Sequence, residues 1–261
     1  MSASAEPLAL GRARLGLAAA LVAAAVGGWW WTIGHTEGMD GGPWTALGAF
    51  GWFVGVWLVM MAAMMLPSVA PTVLLYGRMQ GERSLACTWA FVGGYLVMWV
   101  AVGVSAYGAS RTAGDALAWN RAGRWIAGAV LVAAALYELT PLKDVCLSKC
   151  RSPLGFLLGS WRGGRRGALE MGTQHGAWCV GCCWALMAAL FALGVMSLGW
   201  MAFVAALIAL EKLLPWKAVA NRGIAVTLLV LGLGVAFVPG SVPGLTVPDS
   251  HQAPDSMMRM G

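Results

Sequence analysis

Three cysteines fall within five positions of the stretch WCVGCCWALM, which is otherwise apolar. His175, Cys179, Cys182, Cys183 and Met187 are separated by steps of four, three, one and four residues. These offsets place all five side chains on one stripe of a helix. Thiolates, thioethers and imidazoles are the donors that soft metal ions prefer. The stretch therefore predicts a soft-metal site within a helix.

Two further thiols lie upstream, in the stretch ALYELTPLKDVCLSKCRSP. Cys146 and Cys150 form a C-x3-C pair. If residues 142–150 are helical, positions i and i+4 share a face and both sulfurs can reach one ion. The pair is thus a second candidate set of thiolate ligands.

A cluster of methionines, MMAAMM, precedes Pro67 in another apolar run. Met64 and Met65 are nearest to the end that we expect to face the cytoplasm, and they are candidate thioether ligands. Methionine stripes and single cysteines more often pack cores than bind metal, and we assign Cys87 to packing. The metal interpretation depends on the coincidence of thiols, His175 and methionines on one side.

The elements that position these residues are predicted to be membrane helices. The chain has 261 residues, of which 59% are hydrophobic and only 11% charged, and its mean hydropathy is +0.73. Globular domains carry about 25% charged residues. The composition therefore predicts an all-α, polytopic transmembrane helix bundle, since a spanning helix needs about 20 apolar residues. We expect about seven helices, or six if the short sixth run is re-entrant, at roughly 14–33, 46–67, 86–108, 122–141, 177–196, 199–214 and 219–238.

The runs divide the chain into an N-terminal anchor with its outer loop (1–45), a metal-binding bundle (46–238) and a tail (239–261). The tail is rich in Pro, Ser and Asp and is predicted to be flexible and external. His251 and the methionines near the end of the tail are weaker candidates for copper contact. Within the bundle, 142–175 is predicted to be a cytoplasmic interfacial segment, whose apolar and arginine residues would contact membrane lipids.

The basic residues predict an orientation. Of the 17 lysines and arginines, 13 fall in segments on the N-terminal side of the membrane and four on the other side. The positive-inside rule then places the N-terminus in the cytoplasm and the C-terminus outside. The net charge of +6 records this topology and gives no reason to expect a nucleic-acid partner. Glu138 and Glu211 fall at inner helix ends and are expected to face the bundle or a wet cavity.

The types of donor atom also indicate which metal is expected to bind. The cytoplasmic side is reducing, so the thiols are expected to be free. Sulfur ligands with one imidazole favour Cu(I) over zinc. Structural zinc sites usually contain two C-x2-C pairs in a folded loop, and that spacing occurs once here, from Cys179 to Cys182. Copper is therefore predicted in preference to zinc.

Four stretches carry a family resemblance: MMAAMMLPSVAP, LTPLKDVCLSKCRSPLGFL, HGAWCVGCCWALM and GVMSLGWMAFVAALIALEKLLP. In this order, over about residues 50–215, the chain resembles a bacterial family of predicted metal-binding integral membrane proteins. That family includes a membrane copper chaperone associated with a tyrosinase. The resemblance implies these metal ligands: Met64, Met65, Cys146, Cys150, His175, Cys179, Cys182 and Cys183.

The leading hypothesis is a protein without enzymatic activity that holds Cu(I) at the cytoplasmic face and supplies it to a cuproenzyme of tyrosinase or oxidase type. No catalytic triad and no phosphate-binding glycine loop stands out in the sequence. Two alternatives stay open. One is a transporter of copper or another soft metal, and the other is a structural subunit of a membrane oxidase.

Overall fold

The computed structural model describes residues 5–36, 49–80, 84–117, 121–194 and 197–239, and its regular elements there are α-helices. The predicted all-α bundle is thereby confirmed. The predicted flexible tail lies almost wholly outside the described residues, as does most of the first outer loop. The helices are α1 (Ala5–Thr36), α2 (Phe50–Met79), α3 (Ser84–Leu117), α4 (Arg121–Glu138), α5 (Pro141–Arg151), α6 (Pro153–Ser160), α7 (Gly164–Leu193), α8 (Leu198–Leu213) and α9 (Lys217–Phe237).

In this part of the chain, α1, α2, α3, α7 and α9 are long and apolar enough to cross a membrane. Helices α4 and α5 add a sixth candidate span if the pair, bent by 68°, is counted as one. Helix α8 has 16 residues, so it is about 24 Å long and shorter than the roughly 30 Å hydrocarbon core. Large apolar side chains such as Val22, Val26, Val230 and Phe237 are exposed on the outer helices. These are the features of a multi-pass membrane protein.

Two helices extend well beyond their apolar runs. Helix α2 continues through Pro67 and Pro71 to Met79, because neighbouring helices in a membrane bundle can satisfy the backbone groups that a proline frees. Helix α7 begins at Gly164 and not near 177 as the sequence predicted. Its first turns have low hydropathy but bury Ala168 and Met171 against other helices. Residues 164–175, predicted to belong to the interfacial segment, are therefore the first turns of α7, with one side buried and the other exposed. Lipid contact of the exposed side stays a prediction.

Glycines bring α3 and α7 into close contact. A Cβ atom built on Gly94 would lie 2.2 Å from the carbonyl oxygen of Leu169, and one on Gly172 would lie 2.0 Å from that of Phe91. Small residues let membrane helices approach at backbone distance. The two helices run in the same direction, since Phe91 meets Gly172 and Tyr95 meets Gly176. This contact fixes α3 beside the cysteine stripe of α7.

Replacing Gly94 with alanine is expected to destabilise the bundle by at least about 1–3 kcal/mol, because the added methyl group collides with backbone atoms that have no free space to move into. Gly93 is the matched control, since a Cβ atom there meets nothing within 4 Å. Gly93→Ala should be neutral or slightly stabilising through helix propensity. Thermal unfolding of the two variants in detergent, followed by circular dichroism, compares them. Equal melting temperatures would contradict the close contact.

A tight turn reverses the chain between α7 and α8. Gly194 adopts φ +116°, which disfavours other residues, and its N–H donates to Leu190 O at 2.9 Å. Cys179 lies 15 residues before Gly194, and Lys212 lies 15 residues after Ser197. Both are therefore about 22 Å along the helix axis from this turn. The hairpin thus brings the end of α8 to the level of the first cysteine of α7.

Candidate metal centre

Three thiols from two helices gather near the ends of α4 and α8. The sulfur atoms of Cys150 on α5 and of Cys179 and Cys182 on α7 all lie within 4.8 Å of one another. The Cys150 and Cys182 sulfurs are 3.6 Å apart. Cys179 and Cys182 are buried, Cys150 is partly buried, and none of the three is in a disulfide. We call Cys150, Cys179 and Cys182 the three-thiol site.

The spacing of the site suits a single metal ion. Three sulfurs that each lie about 2.3 Å from one ion in a common plane are about 4.0 Å apart. The separations in the three-thiol site are of this size. Small side-chain adjustments would therefore bring all three sulfurs onto one ion.

The bend between α4 and α5, which is capped by Thr140, positions Cys150 at the site. The Thr140 hydroxyl accepts a hydrogen bond from Lys143 N at 3.4 Å, and Pro141 occupies the first turn, so α5 starts a new helix after α4 ends. At the far end of α5, the Arg151 guanidinium donates to Glu211 O at 2.9 Å and to Leu214 O. Residues 142–150 are thus helical, which is the condition on which the C-x3-C argument depended. The two ends of α5 are held by α4 and α8.

Cys146 does not join Cys150 at the three-thiol site, although the C-x3-C spacing predicted that they would share an ion. Its sulfur packs on α7 at Gly181, 2.7 Å from where a Cβ atom on that residue would lie. Positions i and i+4 share a helix face but are separated by about 6 Å along the axis. Only the last turn of α5 reaches the other two sulfurs. A ligand role for Cys146 stays a prediction without support from this geometry.

The family model of the copper chaperones termed PpoB2 matches residues 54–235, about two thirds of the chain. The chain belongs to this family. The matched region contains the whole three-thiol site, and the resemblance seen in the sequence is confirmed. No curated protein and no solved structure matches the chain. A copper-handling role follows from family membership and agrees with the sulfur donors gathered here.

In this member of the copper chaperone family, four other predicted ligands are buried on α2 and α7. The Cys183 sulfur is 3.3 Å from that of Cys182. The buried His175 ring lies 4.7 Å from the Phe156 ring, and its Nδ1 has no hydrogen-bond partner among the described residues. Met64 and Met65 are buried on α2, a helix that contributes no thiol to the site. Ligand roles for these four residues stay predictions.

Two polar contacts to the site were not anticipated from the sequence. Lys212 on α8 places its Nζ 3.3 Å from the Cys179 sulfur. The Tyr95 hydroxyl on α3 is 3.1 Å from the same sulfur. In the sequence, Lys212 is simply one of the basic residues that indicate topology. A tyrosine inside an apolar run gives no indication that it contacts a metal ligand. Both groups can hydrogen-bond to a thiolate at Cys179.

A buried ion triad lies beside the site. The Lys143 ammonium is 2.8 Å from Glu211 Oε2 and also contacts Glu138 Oε2, and all three side chains are fully buried. The expectation that both glutamates face the bundle is confirmed. Lys143, one of the basic residues counted on the cytoplasmic side, is buried inside the bundle, because two carboxylates from α4 and α8 compensate its charge. The triad holds the first turn of α5 in place.

Cys150 and Cys146 offer a matched pair for testing the site. Changing Cys150 to serine removes one of three sulfurs, so we expect bound copper to lose one sulfur neighbour and its affinity to fall at least tenfold, because a hydroxyl is a poor ligand for Cu(I). Cys146→Ser, one turn away on the same helix, should leave both unchanged. X-ray absorption and competition with a Cu(I) chelator measure the two quantities. The geometry would be contradicted if Cys146→Ser had the larger effect.

Proposed function

We propose that this chain is an integral membrane protein that holds Cu(I) at the three-thiol site and supplies it to a copper-requiring enzyme, without catalysing a reaction itself. The observation that carries the proposal is the meeting of three thiol sulfurs from two helices within 4.8 Å. Membership of the copper chaperone family supports it. Copper is the cargo and not a resident cofactor.

The donor set favours Cu(I) among the soft ions. Thiolates select Cu(I), whereas structural zinc usually takes four protein ligands in a tetrahedral arrangement. Three sulfurs form the group here, and neither His175 nor Cys183 completes it at the same distances. A three-sulfur site is thus better matched to Cu(I) than to zinc.

The arrangement of the ligands suits metal release. Cys179 and Cys182 are fixed on a long core helix, whereas Cys150 is on the short helix α5, which has its own start after a bend. An acceptor thiol can replace Cys150 by ligand exchange while the other two sulfurs keep hold of the metal. Such stepwise substitution lets a buried ion leave without unfolding the bundle.

We also propose that the site lies toward the cytoplasmic face of a bacterial inner membrane, with the N-terminus inside and the C-terminus outside. The support is the excess of lysine and arginine on that side, as counted from the sequence. A reducing compartment would keep the thiols free. The client we propose is a tyrosinase-type or oxidase-type cuproenzyme, which follows from the family resemblance and not from any contact in the structure.

Purified protein loaded with one equivalent of Cu(I) under anaerobic conditions tests the proposal directly. X-ray absorption should show mainly sulfur neighbours, and mixing with a copper-free tyrosinase should activate that enzyme in the presence of a chelator that captures free copper. The client should stay inactive when Cys179 and Cys182 are both serine. Nitrogen and oxygen neighbours, or no activation above the chelator control, would overturn the proposal.

Transport across the membrane is the second candidate function, and one observation favours it. Met187 is buried and continues the cysteine stripe of α7 by one turn beyond Cys183, toward the opposite end of the helix. A soft ion could use such a thioether as a next ligand. Copper uptake into sealed proteoliposomes separates the two functions, since a delivery protein would accumulate none.

A further inference from the structure

Lys212 introduces a positive charge beside a site for a positive ion. Its Nζ is 3.3 Å from the Cys179 sulfur, so with a metal–sulfur distance of about 2.3 Å the ammonium lies within about 6 Å of a bound ion. A cation at this position is unfavourable for any metal unless the ligands supply more negative charge than the metal neutralises. The consequence differs between metals of different charge.

We infer that Lys212 determines specificity at the three-thiol site by favouring a monovalent ion over a divalent one through its charge. The inference rests on the proposed function, because it assumes that Cys150, Cys179 and Cys182 bind the metal as thiolates. Three thiolates with Cu(I) carry a net charge of −2, whereas the same ligands with Zn(II) carry −1. The ammonium therefore stabilises the copper complex by one additional unit of charge interaction. The metal-free protein is common to both reactions and cancels in the ratio of affinities.

The size of the effect follows from the distance. At about 6 Å and an effective dielectric constant of about 20, one unit of charge changes an equilibrium constant roughly a hundredfold. The other cationic side chains described near the site have partners other than its sulfurs. Lys143 is committed to Glu138 and Glu211, and the Arg151 guanidinium donates to backbone carbonyls of α8. Lys212 is the described cationic side chain that contacts a sulfur of the site.

Its place in the chain explains how the ammonium is held. Lys212 is the penultimate residue of α8, and its neighbour Glu211 is bound by Lys143 of α5, the helix that carries Cys150. The same ion triad thus fixes the end of α8 and the start of α5. The third ligand and the cation are positioned by a single structural unit. The residue that determines metal preference and the residue that supplies the third ligand therefore depend on the same ion triad for their positions.

Affinities for Cu(I) and Zn(II), measured separately by chelator competition under anaerobic reducing conditions, test the inference. Lys212→Met keeps the length of the side chain and removes its charge, and the ratio of copper to zinc affinity should fall roughly a hundredfold. Lys212→Arg keeps the charge and should hold the ratio within about threefold of the wild type. Lys149→Met, which removes an exposed lysine next to Cys150, is the matched control and should leave the ratio unchanged. Lys212→Gln serves as a second neutral variant if Lys212→Met does not fold.

The outcomes separate the inference from the proposed function. An unchanged ratio in Lys212→Met or Lys212→Gln, with both metals still bound, would overturn the specificity role and leave copper binding intact. An equal fall of the affinity ratio in Lys149→Met would also overturn it, since the ratio would then depend on the overall charge of the protein and not on the position of Lys212. If the wild-type protein binds Cu(I) with the expected ratio but does not activate a client, delivery fails while the specificity role stands. A wild-type protein that binds zinc but no copper would overturn both.

Discussion

Changing Cys179 and Cys182 together to serine is expected to abolish copper binding, reducing bound copper to less than about a tenth of the wild-type amount. Both sulfurs that α7 contributes to the three-thiol site are lost, and Cys150 is left without a partner from that helix. Hydroxyls neither ionise near neutral pH nor bind Cu(I) well. Elemental analysis of protein purified under reducing conditions measures the loss, and the copper-dependent client should remain largely inactive.

The control is the double variant Cys87→Ser with Cys146→Ser. Both thiols are buried, so the two double variants exchange the same groups in similar surroundings at a similar cost of about 1–3 kcal/mol for each poorly partnered hydroxyl. The control should retain full copper occupancy. Should both double variants lose copper equally, the loss would reflect damage to the fold and the three-thiol site would not be the binding site.

Lys143→Met is expected to destabilise the bundle by about 3–5 kcal/mol, the usual cost of leaving a buried charge without its partner. The variant strands the carboxylates of Glu138 and Glu211, whose side chains are fully buried. Because Lys143 holds the first turn of α5, Cys150 should also lose its fixed position. Unfolding in detergent measures the stability, and X-ray absorption should report fewer than three sulfur neighbours at copper.

Lys149→Met on the same helix is the control, since Lys149 is exposed and should contribute little. A triple variant with Glu138→Gln, Lys143→Met and Glu211→Gln removes all three charges together. It should recover much of the stability, because uncharged groups of similar shape avoid the cost of stranded carboxylates. Failure of the triple variant to recover stability would show that the charges of the triad are not what holds α5.

The sequence was sufficient to predict what depends on composition and on spacing within one helix. Cys179 and Cys182 were placed on one face of α7 from their separation alone, and the apolar runs predicted the all-helical bundle. Which thiol of α5 would meet them depends on how two helices cross, and no periodicity records that angle, so Cys146 and Cys150 were given equal roles. The burial of Lys143 could not be predicted, because its two partners, Glu138 and Glu211, come together only in the fold.

The start of α7 was missed for a related reason. Hydropathy detects residues that prefer lipid. Between Gly164 and His175, however, one side of the helix is buried against protein, including Ala168 and Met171, and the other side is exposed and largely polar. Gly172 is an example. It matters because the absence of a side chain lets α7 approach α3 at backbone distance, and not because glycine prefers lipid. Lys212 and Tyr95 reach Cys179 from helices far away in the chain, and such contacts leave no local pattern.

The close backbone contact of α3 with α7, made at Gly94 and at Gly172, also has a consequence for the lifetime of bound metal. It locks α7 against α3, so the two sulfurs of α7 cannot separate from each other or from Tyr95 without breaking the tightest helix pair described. The only sulfur of the site that lies outside this rigid pair is that of Cys150. Under the proposed function, release of copper would begin with a shift of this one 11-residue helix, and helix shifts of that kind occur in microseconds to milliseconds. Such release would leave the packing of α3 against α7 intact.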